Sequence, residues 1–502
     1  MDSPSAFNVH KRLKEEFVSN LHGTTMLEVG VLSAIIPVLG FMSFSFPSHL
    51  YGSFAAVKRT KTNGSDKDLS KPSRSAMAFD FVSKLVLDFM VIFVPTLACL
   101  TLLADWVLTV AAGVYGILLT TFCVSIFLTC LSDTVLRSQQ QSPKAKPSPK
   151  EQVKSSQKAY LSSYRFVMML VTCVTILAVD FTVFPRRYAK TETYGTGLMD
   201  IGVGSFVVAN ALVSRQARNL PPSKYGGVLR NVSPLLILGL ARLIVTKGVD
   251  YQEHVAEYGV HWNFFFTLAG VALLTSLIHV PPTYCGSLGI AILSVYQMML
   301  SGGLNRYLLS SERGPGFLSL NKEGVASTFG YWGLYLISIQ LGHYLNFKHA
   351  SILEWFWQMS NTQKGGTGTM SQWWAAADIG LLDLALWLLT IYMDHTVERI
   401  SRRTCNLAYV LFVLAQNFEV IGIFMVADLL FPPKPILVLE VFNHNLLPSF
   451  LLANLLTGLV NMSMHTIFVS SSKAFATLLA YLAALVGMMA LAEANKLRLK
   501  FW

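Results

Sequence analysis

The sequence predicts an all-α polytopic membrane protein, one bundle of about thirteen transmembrane helices. Three observations predict it. Of 502 residues, 53% are hydrophobic and only 13% charged, against about 25% charged in a soluble domain. Apolar runs of about 20 residues, enough to cross a bilayer as a helix, recur from end to end. The basic residues concentrate in alternate connections between those runs, the pattern that sets membrane orientation.

In chain order the runs fall at 26–46, 82–103, 106–131, 163–183, 197–214, 233–250, 261–280, 286–301, 326–346, 374–394, 405–428, 446–468 and 474–493. The run at 286–301 is the shortest. No connection is long enough for a separate soluble domain, so residues 1–502 read as one integral-membrane domain. Two connections, 57–78 and 133–160, are rich in Ser, Pro and Lys and read as disordered basic loops. Lys58, Arg59, Lys61, Lys67, Lys71 and Arg74 lie in or beside the first. Arg137, Lys144, Lys146, Lys150, Lys154 and Lys158 lie in the second, and Arg215, Arg218, Lys224 and Arg230 follow the fifth run. All three connections share one side, which the positive-inside rule makes cytoplasmic. The N-terminus is then non-cytoplasmic, and an odd number of spans puts Lys496, Arg498 and Lys500 in the cytoplasm.

The formal charge of +11 therefore reads as topology signal rather than nucleic-acid binding. Cys99, Cys123, Cys130, Cys173, Cys285 and Cys405 lack metal-ligand spacing and form no disulfide framework. The first 25 residues have no apolar core, so no cleavable signal peptide is expected. The sequon Asn63-Gly-Ser65 falls on the cytoplasmic side and is expected to stay unmodified. No internal repeat is visible, which weakens a transporter reading.

Polar chemistry concentrates on the non-cytoplasmic side. The densest stretch runs from Ile176 to Ser205, between two spans. Asp180 stands near the end of a span, where a carboxylate costs less than the roughly 2.5–3.5 kcal/mol of a helix centre. It reads either as an interfacial carboxylate paired with Arg186 or Arg187, or as a general base. Pro185 starts the connection non-helically, which lets Lys190 fold back over Asp180. Beside a carboxylate such a lysine can share a proton, polarise a carbonyl or hold a phosphate; alone it would be a snorkelling lysine. Arg186, Arg187, Glu192 and Tyr194 keep it company. The glycines at 195, 197, 202 and 204 surround Asp200 without any βαβ unit, so they read as helix-packing positions and Asp200 as a buried polar contact.

A second cluster comprises Arg242 and the run Asp250-Tyr-Gln-Glu253-His254-Val-Ala-Glu257-Tyr-Gly-Val-His261-Trp262-Asn263. Its histidine spacing matches no zinc-protease pattern, so no metal is expected. His254 and His261 read as acid–base or hydrogen-bonding candidates, or as part of an interfacial belt with Tyr258 and Trp262. Smaller polar patches are Asn20–Thr25, Leu320–Gly324 and Ser401–Arg403. Basic residues on this face, among them Arg186, Arg187, Lys190 and Arg402, break the usual charge bias. Such a break is the mark either of short loops that follow their neighbours or of a phosphate-bearing ligand.

These motifs carry a resemblance. Asp180-Phe-x-x-Phe-Pro-Arg-Arg187 with Lys190-Thr-Glu-Thr-Tyr-Gly195, and Tyr251-Gln-Glu-His-x-x-Glu-Tyr-Gly-Val-His-Trp-Asn-Phe-Phe-Phe266, closely resemble the inositol acyltransferases of GPI-anchor biosynthesis, the GPI-anchored wall transfer protein family. So do Lys14–Thr25, Leu320–Gly324, Ser401–Arg403, Asn454–Asn461 and Phe501-Trp502. Thr182 departs from the proline common there.

The resemblance covers essentially the whole chain. It implies a multi-pass enzyme of the endoplasmic reticulum membrane, with N-terminus and active face lumenal, that moves a fatty acyl group, typically palmitoyl, from acyl-CoA to the inositol of glucosaminyl-phosphatidylinositol. Acyl-CoA would be a co-substrate, with no permanently bound cofactor. Asp180 and Lys190 look like the catalytic pair, with either one as base. Arg186, Arg187, Glu192, Arg242, Glu253, His254, His261, Trp262, Asn263, Asn321 and Arg402 are the candidate substrate-binding residues. The competing class is a lipid transporter or scramblase without acyl-transfer chemistry, and a non-catalytic membrane subunit is a third.

Overall fold

A computed structural model describes residues 21–45, 74–117, 149–221, 225–248, 255–347, 368–430 and 436–498, with Glu16, Phe17, Ser19 and Thr120. Among the described residues all regular structure is helical, apart from isolated bridges that pair Gly23 and Thr24 with Thr196. The helices used below are, in chain order, α1 (Met26–Ser45), α2 (Arg74–Asp88), α3 (Pro149–Ala178), α4 (Ile201–Leu212), α5 (Tyr225–Gly248), α6 (Val255–Tyr258), α7 (Phe264–Leu277), α8 (Pro282–Met299), α9 (Lys322–Phe347), α10 (Gly368–Thr396), α11 (Leu407–Leu430), α12 (Leu437–His444), α13 (Leu446–Ser463) and α14 (Ser471–Ala494).

The described parts of the expected runs are mainly helical, that at 106–131 being described only to Ile117 and at Thr120. Among the described residues, eight helices are long and apolar enough to cross a membrane, and four shorter apolar helices accompany them. The short run expected at 286–301 is part of a longer span, Pro282–Leu309, because α8 continues through a π-turn at Leu300–Leu304 into Asn305–Leu309. A second π-turn, Phe89–Phe93, carries α2 onward to Leu100. The helices α2 and α3 begin at Arg74 and Pro149, inside the stretches expected as loops. Residues 57–73 and 133–148 of those loops, and Asn63, lie outside the described residues.

The chain divides into two compact units, 1–30 with 185–422 and 500–502, and 31–184 with 423–499. In the first, α9 is the central helix and packs against α4, α6, α7 and α8. Lipid is as apolar as a leucine side chain, so helices in a bilayer associate through close backbone approach and interhelical hydrogen bonds. Both devices appear on α9. A Cβ at Gly333 would sit 2.5 Å from Leu293 of α8, and one at Gly289 would sit 2.7 Å from the Gly333 carbonyl. Gln340 accepts from the Gly286 amide at 2.7 Å. By contrast Leu229, Ile237 and Ile244 of α5 project outward, as lipid-facing side chains do.

In the second unit α3 packs against α12, α13 and α14. Phe93, Phe166 and Phe442 form its aromatic centre, with centroids 5.7–6.3 Å apart, an edge-to-face range that favours ordered packing. Tyr481 of α14 donates to the Cys173 carbonyl at 2.8 Å.

Candidate active site

Helix α3 ends at Ala178, and after a stretch of turns the chain passes Pro185 into a short 3₁₀ turn, Arg186–Tyr188. Three groups on α1's side of the first unit fix that turn. Arg187 Nε donates to Glu28 Oε1 at 3.0 Å, and the buried Tyr188 hydroxyl donates to the same oxygen at 2.7 Å. Thr24 donates its hydroxyl to the other Glu28 oxygen. The Arg186 guanidinium stacks on the Phe17 ring, 3.9 Å from its centroid.

The loop then folds against the segment before α1. The Thr24 amide donates to the Thr196 carbonyl, the Thr196 hydroxyl donates back to the Thr24 carbonyl, both at 2.6 Å, and the Glu192 amide reaches the Leu21 carbonyl at 3.3 Å. Gly23 (φ +79°) and Gly195 (φ +127°) allow this approach. A Cβ on either would stand 2.2–2.3 Å from a carbonyl oxygen of the facing strand of chain. The Leu21–Thr25 part of the patch expected at 20–25 and the Thr191–Gly197 stretch are thus one structural piece, although more than 170 residues separate Thr24 from Thr196; Asn20 lies outside the described residues.

A line of alternating charges runs through this piece. Asp200 is fully buried and accepts from the Thr191 amide (3.1 Å) and hydroxyl (3.0 Å), the Gly197 amide (2.8 Å) and Arg402 Nε (2.8 Å). Arg402 also donates to Glu257 Oε1 at 2.7 Å and to the Thr191 carbonyl at 3.3 Å. Glu257 in turn receives Lys190 Nζ at 3.0 and 3.3 Å. Side-chain exposure rises along the line, from 0% at Asp200 through 6% at Arg402 and 12% at Glu257 to 43% at Lys190. Burial opposes ionisation of Glu257, but Lys190, Arg402 and Arg242 outweigh it and hold the carboxyl well below its ordinary range. Burial likewise works against the charge on Arg402, and Glu257 and Asp200 more than offset that. Burial pushes the Asp200 carboxyl up, and Arg402 and the Thr191 donors pull against that rise. Lys190 stands at the open end of this chain of ion pairs, its stem anchored on Glu257.

Other candidates have structural partners. Asn263 caps α7, its Oδ1 accepting from the Phe265 and Phe266 amides at 3.0 and 3.3 Å while Nδ2 donates to the Gly239 carbonyl at 2.9 Å. Asn321 Oδ1 accepts from the His261 amide at 2.7 Å. Trp262 Nε1 donates to Thr267 at 3.0 Å, and its ring lies where a Cβ at Gly324 would be 2.3 Å away. These three, with His261, lock the α6–α7 approach to the start of α9. Arg242 is exposed on α5, and Glu192 is exposed on the loop. Glu253 and His254 lie outside the described residues.

Asp180 belongs to the second unit, where Asn461 Nδ2 of α13 donates to its Oδ2 at 2.7 Å. Sequence reasoning did not single out Glu28, Glu257 or Asn461 as functional. Each had a signal: Glu28 is a lone carboxylate in the first turn of an apolar helix, and Glu257 and Asn461 stand inside the quoted motifs. Among the described residues no group of three or more His, Cys, Asp or Glu could hold a metal ion.

The sequence model of the GWT1 family matches residues 10–492. An uncharacterized protein of Arabidopsis thaliana is 47% identical, over 83% of this chain and 88% of its own. GPI-anchored wall transfer protein 1 of Aspergillus oryzae is 34% identical over 97% of this chain and 98% of its own. Phosphatidylinositol-glycan biosynthesis class W protein of Dictyostelium discoideum is 32% identical over 98% and 99%.

Proposed function

The chain belongs to the GWT1 family, and we propose from that premise that it is a membrane-bound O-acyltransferase of GPI-anchor biosynthesis. It transfers a fatty acyl group, palmitoyl, from acyl-CoA to an inositol hydroxyl of glucosaminyl-phosphatidylinositol. It works in the endoplasmic reticulum membrane as a bundle of thirteen spans with a lumenal N-terminus and a cytoplasmic C-terminus. The names of the fungal and Dictyostelium relatives support the pathway. The observation that carries the chemistry is the charged line ending in Lys190, because an exposed ammonium held by Glu257 is a preformed donor for developing negative charge.

In the reaction the inositol hydroxyl attacks the thioester carbonyl. Asp180, oriented by Asn461, takes the hydroxyl proton as the C–O bond forms. Lys190 stabilises the oxyanion. The C–S bond then breaks, the proton passes to the departing thiolate, and the products are the inositol ester and CoA thiol. Lys190 already donates to a carboxylate, which favours Asp180 over Lys190 as the base. Arg186 and Arg187 stand on the same loop to meet phosphate.

The test is mass gain on glucosaminyl-phosphatidylinositol with palmitoyl-CoA, by the purified full chain in nanodiscs. Asp180→Asn and Lys190→Ala should each cut the rate by about 10²-fold or more, the scale of losing a catalytic base or an oxyanion donor. Wild-type rates in both variants would refute the assignment, and lipid movement without acylation would point to the transporter class.

A further inference from the structure

Two spanning helices carry carboxyl groups that this chemistry does not use. The register of α10 against α11 is fixed by two contacts. Ile379 lies 3.7 Å from the Cβ position of Gly422, and the Trp387 ring stands edge-on to Phe412 at a centroid distance of 6.1 Å. The helices are therefore antiparallel, and between these contacts Asp383 faces Glu419 and Gln416, one turn or less apart on α11. The two carboxyl groups are near enough to repel each other when both are ionised. Gly30 of α1 closes the third side. A Cβ there would lie 3.4 Å from the Trp387 ring, 3.5 Å from Glu419 Oε2 and 3.6 Å from Gln416 Nε2.

This cluster lacks its complement. Asp383 Oδ1, Glu419 Oε2 and both amide atoms of Gln416 are buried with no hydrogen-bond partner among the described residues, and Gln416 is 1% exposed. A buried amide with neither atom paired is costly, and ionisable groups inside spans ordinarily have a partner. What is missing must supply donors and positive charge. Asp383 Oδ1, Glu419 Oε2 and Gln416 Oε1 are three acceptors, the number of N–H donors on a primary ammonium. The Gln416 NH₂ is left to donate to a neighbouring hydroxyl.

The position suits a lipid headgroup. Gly30 is two residues, about 3 Å of helix rise, beyond Glu28, which holds Arg187 and Tyr188 of the signature loop. The cluster thus lies at the depth of that loop, across α1. The outer side of α10 borders lipid through Leu381, Leu384 and Leu388.

We propose that Asp383, Glu419 and Gln416 form an intramembrane site for the primary ammonium of a lipid headgroup. Two sources share that chemistry, the glucosamine of the acceptor glycolipid and the ethanolamine of a bulk phospholipid. The first rests on the acyltransfer reading above.

The test uses the purified full chain in phosphatidylcholine nanodiscs, without acyl donor. Thermal melting is followed while glucosaminyl-phosphatidylinositol, its N-acetylated form or phosphatidylethanolamine is titrated. One free-amine lipid should raise the Tm, and the N-acetylated form should not. A shift with the glycolipid identifies the acceptor, and a shift with phosphatidylethanolamine identifies the bulk lipid. Asp383→Asn and Glu419→Gln should each weaken amine binding roughly tenfold, the scale of one charge-assisted hydrogen bond, with little change in the unliganded Tm. Gly30→Ala keeps ordinary contacts with its neighbours yet narrows the site, and should weaken binding several-fold without unfolding. Equal binding of amine and N-acetylated lipids by the wild type, or unchanged selectivity in both carboxyl variants, would overturn the proposal. Because no acyl transfer is read, failure of the enzymatic reading leaves these outcomes interpretable.

Discussion

Asp200 and Glu419 are carboxylates of the same unit, and their surroundings are opposites. Asp200 receives two backbone amides, a hydroxyl and a guanidinium, so its lone pairs are used. Glu419 presents a buried oxygen to a glycine, an unpaired glutamine and another carboxyl group. A carboxylate with a full set of donors holds its surroundings in one arrangement, here the loop that carries Lys190. A carboxylate without them gains little for the fold by itself, and its presence in a span points outward, to something bound.

The comparison breaks most visibly at Arg402. Arg402→Ala leaves Asp200 and Glu257 buried without their shared cation, and losing one partner of a buried pair costs about 3–5 kcal/mol. Much of the purified variant should therefore be unfolded or should melt far below wild type by fluorescence-detected size exclusion. Arg402→Lys should recover only part of that loss. A single ammonium cannot reproduce donation to Asp200, Glu257 and the Thr191 carbonyl from one planar fork. Wild-type melting of Arg402→Ala would mean that Asp200 is held by its amides alone.

A smaller effect belongs to Glu257. Its carboxyl is depressed in the folded state, so the stability it contributes is fully present above the ordinary carboxylate pKa of 4.5 and is lost as pH falls below it. Glu257→Gln should melt below wild type at neutral pH, and the gap should close progressively as pH drops from about 5. A gap constant with pH would show that the pair acts by packing rather than charge.

The helices were legible in the sequence because hydropathy over about 20 residues is a local signal. The site was legible in part. Lys190, Arg187 and Arg402 stood out as charges in a chain that has few. Their carboxylate partners Glu28 and Glu257 did not, because pairing across more than a hundred residues leaves no trace in spacing. Asn263 and Asn321 read as ligand contacts in the sequence, and in the structure they secure a helix start and a loop crossing, since a polar motif near a membrane surface reads alike for both duties. The loop boundaries at Arg74 and Pro149 were missed because a Ser/Lys composition that reads as loop also suits the first turns of a helix. Asp383 and Glu419 lie in runs apolar enough to be read as spans, which hid them.

The smallest effect is the one that separates the two carboxylates best. Glu419→Gln removes a charge that has no donor among the described residues and keeps the side chain's shape. If Glu419 served the fold as Asp200 does, the substitution would cost the few kcal/mol of a lost buried partner. If it serves a ligand, the unliganded protein loses nothing it was using, and the ΔΔG should stay within about 0.5 kcal/mol or favour the variant. Relief of repulsion from Asp383 acts in the same direction. Differential scanning fluorimetry in phosphatidylcholine nanodiscs, where no amine lipid is present, reads this directly. A Tm several degrees below wild type would place Glu419 with Asp200 among the residues that hold the fold.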